Sequence, residues 1–319
     1  VLYFENLTGD PELDWLRHGL AEMLVTDLSQ SRSLRVLSTD RLYQILKQLN
    51  RLDDRITSFE VVREVAERAN DGTILLGSFM KSGETVRISV KVQEAASGEI
   101  LASREVRGKG ESSLFGMVDD LSRGIRGELV VSQASDVERD RDVTEVTTSS
   151  IQAYRFYSEA ERLHSEYKEE EAIELYEKAV ELDPAFAMAL AKLSVAHSNR
   201  RLFEEAEVYA RQALEHKERL TPRERYYVEG RFYSRKLETY GRAMDVWKKA
   251  IEEDPDDTTA MNNLAGSYLD LGLVQEAVDH FEAVVRQRDP YEGNYIVLAF
   301  GYSLLGEFEK GHRTIEDLL

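Results

Sequence analysis

The chain has 319 residues, of which 42% are hydrophobic and 32% are charged, and its formal net charge at pH 7 is −19. This composition is ordinary for a globular protein of about two domains. The acidic balance argues against a nucleic-acid partner, because an acidic surface repels phosphate. Since there is no cysteine, disulfides, thiolate metal sites and a cysteine nucleophile are excluded, while the compartment stays open.

The sequence predicts neither membrane insertion nor an export signal within this segment. No apolar run reaches the roughly 20 residues that a membrane-spanning helix needs. Residues 1–7 also lack the basic start and the small-residue cleavage site of a signal peptide.

The first 133 residues predict alternating strands and helices. Asp10 is expected to cap the first helix, with Pro11 at its first position. Thr57 and Glu60 form a capping box before the third helix, and the glycines at 83 and 98 mark turns between strands. The predicted elements, in chain order, are a strand at 1–7, a helix carrying the leucines of 13–28, a strand at 34–37, helices at 42–49 and 61–69, strands at 73–79, 85–92 and 100–106, and a helix at 113–130.

This order predicts a two-layer α+β domain in which helices cover a mixed sheet. Its last three strands are expected to form an antiparallel meander, because short turns connect them. Residues 134–150 are polar and charged with little to bury, and they are expected to form a linker. Ser149 and Gln152 have the spacing of a capping box that begins the next helix.

Residues 151–319 repeat with a period close to 34 residues. A small residue returns at spacings of 34, 37, 34 and 34, and a packing residue follows each one four positions later. The small residues are Ala172, Ala206, Ala243, Ala277 and Gly311, and the packing residues are Tyr176, Ala210, Trp247, Phe281 and Ile315. Prolines at 184, 255 and 290 close the units, and the three extra residues include a helix start at Thr221-Pro222-Arg223-Glu224.

This pattern resembles the tetratricopeptide repeat (TPR), a helix–turn–helix unit that stacks into an all-α superhelical solenoid. It predicts about five repeats, the last one truncated. Val1 is not methionine and Leu319 falls inside the second helix of the fifth repeat, so we expect the sequence to be a piece of a longer protein. An uncapped last repeat is also typical of self-association, so a homo-oligomer is a further expectation.

The first half resembles the TolB-like amino-terminal domain shared with the FlgO and CsgG-type families of bacterial envelope proteins. The stretches that carry the resemblance are FENLTGDPELDWLRHGLAEMLVTDLS from residue 4, LRVLSTDRL from 34, ILLGSF from 74 and SGEIL from 97. The resemblance implies a fold and a context but brings no catalytic residues. Together with the repeats, it is similar to the carboxy-terminal region of certain bacterial serine/threonine kinases, adenylate cyclases and winged-helix regulators.

No motif predicts a catalytic, metal or cofactor site. The loop between residues 4 and 16 lacks the G-x-x-x-x-G-K-[ST] pattern, and Asp10 would repel phosphate there. The six histidines lie far apart, without H-E-x-x-H or helical ligand spacing. His197 occupies a packing position, so a core histidine is the favoured interpretation. Exposed carboxylate runs lack the desolvated partner that acid–base catalysis needs.

The repeat resemblance implies a protein- or peptide-binding groove, lined by the first helix of each unit. Aromatic side chains and arginines, which dominate interface energetics, occur among these positions. The implied groove residues are Tyr154, Tyr157, His164, Met188, Asn199, Tyr227, Arg231, Arg235, Asn262, Ile296 and Phe300. An alternative is that Tyr154 and Tyr157 pack against the linker or the first domain. Because Glu161 stands where chaperone-tail-binding members have asparagine, recognition of a terminal carboxylate is not supported.

These observations predict a non-enzymatic interaction module, acting as the scaffold or sensor region of a bacterial signalling protein. Two alternatives remain open at this point. One is the regulatory fragment of a serine/threonine kinase whose catalytic domain lies elsewhere, and the other is an envelope component that works in assembly or secretion.

Overall fold

The computed structural model describes residues 1–31, 33–52, 59–69, 72–129, 141–286 and 291–318. Contacts between residues divide the chain into two compact units, Val1–Pro222 and Arg223–Leu319. Among the helices of these described ranges, none is long and apolar enough to cross a membrane.

The first unit begins with a four-stranded mixed sheet. Its strands are β1 (Glu5–Asn6), β2 (Thr73–Ser82), β3 (Thr85–Glu94) and β4 (Ile100–Lys109), in the order β1-β2-β3-β4. β1 runs parallel to β2, whereas β2, β3 and β4 form the predicted antiparallel meander. Gly83 and Gly98 turn the chain with φ angles of 60° and 74°, which a residue without Cβ adopts readily.

Residues 34–37, predicted as a second strand, form no strand. They contain apolar residues, but an apolar pattern does not by itself decide whether a segment joins a sheet. In the described sheet, β2 is bordered by β1 and β3, and β1 forms the edge. The prediction for 34–37 was therefore wrong because propensity is local whereas pairing is not.

Four helices accompany this sheet: α1 (Trp15–Leu28), α2 (Thr39–Gln48), α3 (Phe59–Ala69) and α4 (Leu114–Leu129). Asp10 caps as expected, accepting from the Glu12 amide at 3.0 Å, although the helix that it begins is a single 3₁₀ turn before α1. Ser38 caps α2 by accepting from the Arg41 amide. Thr57, half of the predicted capping box, lies outside the described residues.

The segment before the repeats differs from an exposed linker where it is described. Helix α5 (Val143–Val146) buries both of its valines, which are at most 1% exposed. The Val143 amide donates to Asp119 of α4 at 2.9 Å, and Arg141 donates to the carbonyl of Leu220. Residues 134–140 lie outside the described part of the chain. The following helix is capped by Ser150, not by Ser149, because the Ser150 hydroxyl is the one that accepts from the Ala153 amide.

Five helix pairs follow, and their bounds fit the predicted period. The pairs are α6 (Ile151–Ser165) with α7 (Glu169–Leu182), α8 (Ala187–Asn199) with α9 (Phe203–Glu215), α10 (Pro222–Tyr233) with α11 (Tyr240–Glu253), α12 (Thr258–Asp270) with α13 (Val274–Arg286), and α14 (Glu292–Leu304) with α15 (Phe308–Glu316). Helix α10 begins at Pro222, as the inserted start signal predicted. An α+β part followed by a run of paired helices is thus confirmed.

The small residues of the repeat are buried in every pair. The alanines at 172, 206, 243 and 277 are at most 1% exposed, and Gly311 is buried as well. In the pair α10–α11, a Cβ at Gly230 would overlap the indole ring of Trp247, which is itself 1% exposed. Small residues therefore set how closely the helices of a pair approach, and the large residue one turn later fills the space between them.

Candidate interaction surface and a polar cavity

Two of the implied groove residues are part of the protein core. Tyr154 and Tyr157 are 1% and 5% exposed. The Tyr154 ring lies edge-on to Phe115 of α4, with 5.9 Å between centroids, and Tyr157 lies 4.9 Å from Phe186. For Tyr154, this burial agrees with the alternative in which it packs against the first domain, because its ring meets Phe115 of α4. The Tyr157 ring packs on Phe186, within the repeat region.

Three further positions of the first unit lie around one carboxylate or in the core. His164 Nδ1 and the Asn199 amide group both contact Glu169, at 2.8 and 2.7 Å. These hydrogen bonds hold the pKa of Glu169 below its ordinary value, although its burial opposes that effect. Met188 is 9% exposed. Within this unit, only His164 and Asn199 retain polar groups near the surface at the predicted positions.

The second unit presents more of its predicted residues. Tyr227, Arg231 and Arg235 of α10 and the loop after it are half-buried. Asn262 of α12 donates to the side chain of Asn294. The side chains of Ile296 and Phe300 on α14 are the most open, at 55% and 54% exposure.

The exposed apolar surface of α14 is longer than the prediction. Leu304 is 52% exposed and stands four residues after Phe300, which itself stands four residues after Ile296. Residues at i and i+4 share a helix face, so these three side chains form one row, called the α14 stripe below. Leu304 was missed although its spacing continues the row.

A polar cavity of about 290 Å³ lies within the first unit, where α1, α2 and α6 meet. Its wall includes Arg17 and Glu22 from α1, Asp40 from α2, and Ser158 and Glu161 from α6. Lys192 of α8, 7% exposed, reaches this cluster and contacts Glu161 at 2.6 Å and Asp40 at 3.5 Å. None of these residues was predicted as a site from the sequence. The one available signal was a lysine inside the otherwise apolar run of α8.

The two ends of the cavity differ in electrostatic potential. Burial and the neighbouring Glu161 carboxylate raise the pKa of Glu22 well above its ordinary value, although Lys192 and a hydrogen bond from Tyr157 oppose the rise. At the other end, burial and the charges of Arg17 and Arg162 lower the pKa of His18 to about 4. One end is therefore rich in carboxylates, and the other is rich in guanidinium groups around a neutral imidazole.

The described ranges contain no group of three or more His, Cys, Asp or Glu side chains that could hold a metal ion. His197 is a core residue, 6% exposed and stacked on Tyr209 at 5.2 Å between centroids. Burial lowers the pKa of His197, and neither ring nitrogen has a hydrogen-bond partner among the described residues. It is thus a packing histidine, as predicted, but its polar atoms are not satisfied.

Three stretches of the chain match family models of the tetratricopeptide repeat, at residues 165–186, 186–221 and 235–292. The chain therefore contains tetratricopeptide repeats. These repeats are a general scaffold for protein–protein interaction, because stacked helix pairs present extended binding surfaces.

The chain is also similar to solved structures of TPR proteins. YrrB, described as a TPR protein with an unusual peptide-binding site, is 23% identical with a TM-score of 0.34, over 52% of this chain and 84% of its own. A thermophilic TPR protein of Thermus thermophilus, TTC0263, is 18% identical with a TM-score of 0.45, over 52% and 90%. MamA of Desulfovibrio magneticus RS-1 is 15% identical with a TM-score of 0.38, over 52% and 93%.

One curated relative shares part of the sequence. The protein named "Putative adenylate cyclase 3" of Rhizobium meliloti (strain 1021) is 25% identical over 197 residues, which cover 61% of this chain and 32% of that protein. The matched region thus spans about a third of the relative's length. This likeness assigns no reaction to residues of the present chain.

Proposed function

We propose that this chain is a non-catalytic, protein-binding region of a bacterial signalling protein, and that its repeats bind an apolar, basic peptide segment of a partner. The α14 stripe carries the first part of the proposal. A phenyl ring and two branched aliphatic side chains, each more than half exposed, form one row at positions where TPR helices face a ligand. A contiguous exposed apolar patch is typical of a surface that binds another molecule.

The chemistry of the partner follows from the charge of the second unit. Residues 223–319 contain 12 lysines and arginines against 19 aspartates and glutamates. Exposed carboxylates stand at Glu292, four residues before Ile296 on α14, and at Glu309 in the first turn of α15. A helical segment with apolar residues three or four positions apart and lysine or arginine beside them would complement this surface.

Selection of peptides on the full chain tests this proposal. A random-peptide phage library is panned on the immobilised protein, and the affinities of enriched peptides are measured by fluorescence anisotropy. We expect the enriched peptides to share the apolar spacing and basic flanks, and Phe300→Ser to weaken their binding at least tenfold. Phe203→Ser is the matched control, because this phenyl group is 62% exposed on α9 and lies outside the predicted groove.

Equal loss of affinity in the two variants, or enrichment of acidic peptides, would contradict the proposal. The same assay examines the other predicted groove positions. We expect the double variant Tyr227→Ala with Arg231→Ala to bind more weakly than the wild type, and unchanged binding would remove α10 from the proposed groove.

The signalling role rests on two likenesses. The curated relative bears the name of an adenylate cyclase and extends well beyond the matched region. The opening residues resemble a TolB-like domain, which in combination with TPR repeats is similar to regulatory regions of bacterial cyclases and kinases. We therefore favour a regulatory region that accompanies a catalytic domain. Sequencing the complete gene tests this: an encoded cyclase or kinase domain would support it, whereas a lipoprotein signal without a catalytic domain would favour the envelope alternative.

A further inference from the structure

Three polar side chains on the wall of the cavity in the first unit could accept a further hydrogen bond or ion pair from a ligand. They are Arg17, Ser158 and Glu22. Arg17 makes no side-chain hydrogen bond within the described residues, although it lines the wall. Ser158 is 2% exposed, yet its hydroxyl has no hydrogen-bond partner there. A buried polar atom without a partner costs free energy, so a ligand that supplied one would gain from it.

Glu22 is the third group. The Tyr157 hydroxyl donates to it, and among the described residues Lys192 is the cation whose charge acts on it. The nearest ammonium, that of Lys192, is already bound to Glu161 at 2.6 Å and to Asp40 at 3.5 Å. At this end of the cavity, the ammonium group of Lys192 faces three carboxyl groups, those of Glu22, Glu161 and Asp40. A ligand with a second positive charge would complement them.

The opposite end of the cavity, where Arg17 and Arg162 lie, would favour an anionic group of a ligand. A guanidinium group presents paired N–H donors that match a carboxylate. Among the described residues, no carboxylate forms an ion pair with Arg17. Arg162, by contrast, is bound to Glu166 at 2.5 Å. Burial, together with the positive charges of Arg17 and Arg162, lowers the pKa of the neighbouring His18 to about 4.

The volume limits what could fit. A cavity of about 290 Å³ is at the small end of ligand sites and holds the equivalent of roughly ten water molecules. An opening exists on the side of Asp40, whose side chain is 65% exposed. The described ranges offer no three-ligand metal cluster here, so a small organic molecule is favoured over a metal ion.

We propose that this cavity binds a free α-amino acid, with its carboxylate on Arg17, its ammonium group on Glu22 and a hydrogen bond to Ser158. Because Arg17 and Glu22 come from α1 and Ser158 comes from the first repeat, such a ligand joins the α+β part to the repeats. Binding to the folded state alone stabilises it in proportion to the logarithm of ligand concentration. The first unit is thereby a sensor of small molecules, in addition to the proposed protein-binding role of the repeats.

Measurement of amino-acid binding to the full chain tests this inference. The twenty free L-amino acids are screened by thermal shift, and hits are titrated by isothermal calorimetry. We expect at least one to bind with saturation at one site per chain. The amide and the N-acetyl derivative of that amino acid each lack one charge, and we expect each to bind at least tenfold more weakly.

Variants then locate the site. We expect Arg17→Gln and Glu22→Gln each to weaken binding at least tenfold. Matched controls are Arg68→Gln and Glu64→Gln on the exposed face of α3, which should bind as the wild type does. The proposal is overturned if none of the twenty binds, if the charge-lacking derivatives bind equally well, or if folded cavity variants keep full affinity. The derivative measurement uses the wild-type chain, so it decides the question even where a variant fails to fold.

Discussion

At the scale of single residues, Lys192 is the cation that pairs with the largely buried carboxylate of Glu161. Its side chain is 9% exposed and that of Glu161 is 12% exposed, with 2.6 Å between ammonium and carboxylate. Removal of one partner from a buried ion pair leaves the other charge uncompensated. We therefore expect Lys192→Met to lower the free energy of unfolding by about 3–5 kcal/mol at pH 7, measured by urea denaturation.

Lys249→Met is the matched control for this change, because Lys249 is an exposed lysine on α11. An exposed substitution of this type is expected to change stability by about 0.5 kcal/mol or less. If Lys192→Met costs no more than Lys249→Met, the pair with Glu161 does not stabilise the fold.

Asp119 predicts a dependence of stability on pH. It is 7% exposed, and burial raises its pKa to about 6 against the opposing hydrogen bond from the Val143 amide. The unfolded carboxyl titrates near pH 4. Between about pH 4 and pH 6 the folded state therefore binds more protons than the unfolded state, and the free energy of unfolding falls as pH rises.

Asp119→Asn keeps the oxygen that accepts from Val143 and removes the charge. We expect its free energy of unfolding, relative to the wild type, to rise by on the order of 3 kcal/mol between pH 4 and pH 6 and to stay level above, since one pKa unit is worth about 1.4 kcal/mol. Its melting temperature relative to the wild type should follow the same trend. Asp120→Asn, whose side chain is 66% exposed, should show no such trend. A difference between Asp119→Asn and the wild type that is constant across this pH range would contradict the assignment.

At the scale of elements, the contact between Gly230 and Trp247 fixes the spacing of α10 and α11. A methyl group at Gly230 would overlap the indole ring, so Gly230→Ala should destabilise by about 1–3 kcal/mol through overpacking. Gly241→Ala on α11 is the control, because a Cβ there meets nothing within 4 Å. Since alanine is the better helix former, the control should be neutral or stabilising by up to about 1 kcal/mol. Equal effects in thermal unfolding would show that the contact does not set the spacing.

The elements that the sequence predicted well are those with a periodic, local cause. A small residue about every 34 positions predicts helices that approach each other closely. Each of these small residues is buried in the structure. The prediction of a strand at 34–37 was wrong, because the whole sheet decides which segments join it. The spacing of the α14 stripe can be recognised in the sequence, because it is local. Its exposure cannot, because exposure depends on which described elements pack against α14.

At the scale of the whole molecule, the polar cavity shows what a sequence pattern cannot reveal. Its principal groups, Arg17, Glu22 and Ser158, come from segments more than 130 residues apart. Arginine, glutamate and serine are also common on ordinary exposed helix faces, so none of the three stands out in the sequence. The domain boundary is similar, since composition marks 134–150 as polar although Val143 is fully buried. The boundaries at 133 and 151 stay a prediction, while contacts join residues 1–222 into one unit.

The predicted boundary near residue 150 and the unit that extends to residue 222 imply different unfolding behaviour. In the second case, the α+β part and the first two repeats unfold together. Phe115 of α4 is 4% exposed and contacts Tyr154 of the first repeat. Phe115→Ala should destabilise the fold by about 3–5 kcal/mol.

If residues 1–222 unfold as one unit, hydrogen exchange in the full-chain Phe115→Ala variant will speed up in α6–α9 as well as in β2–β4, and α12–α14 will keep their protection. Phe281→Ala in α13, where the ring is 3% exposed, should do the reverse. Unchanged exchange in α6–α9 of Phe115→Ala would mean that the first repeats unfold independently, and would favour a boundary near residue 150.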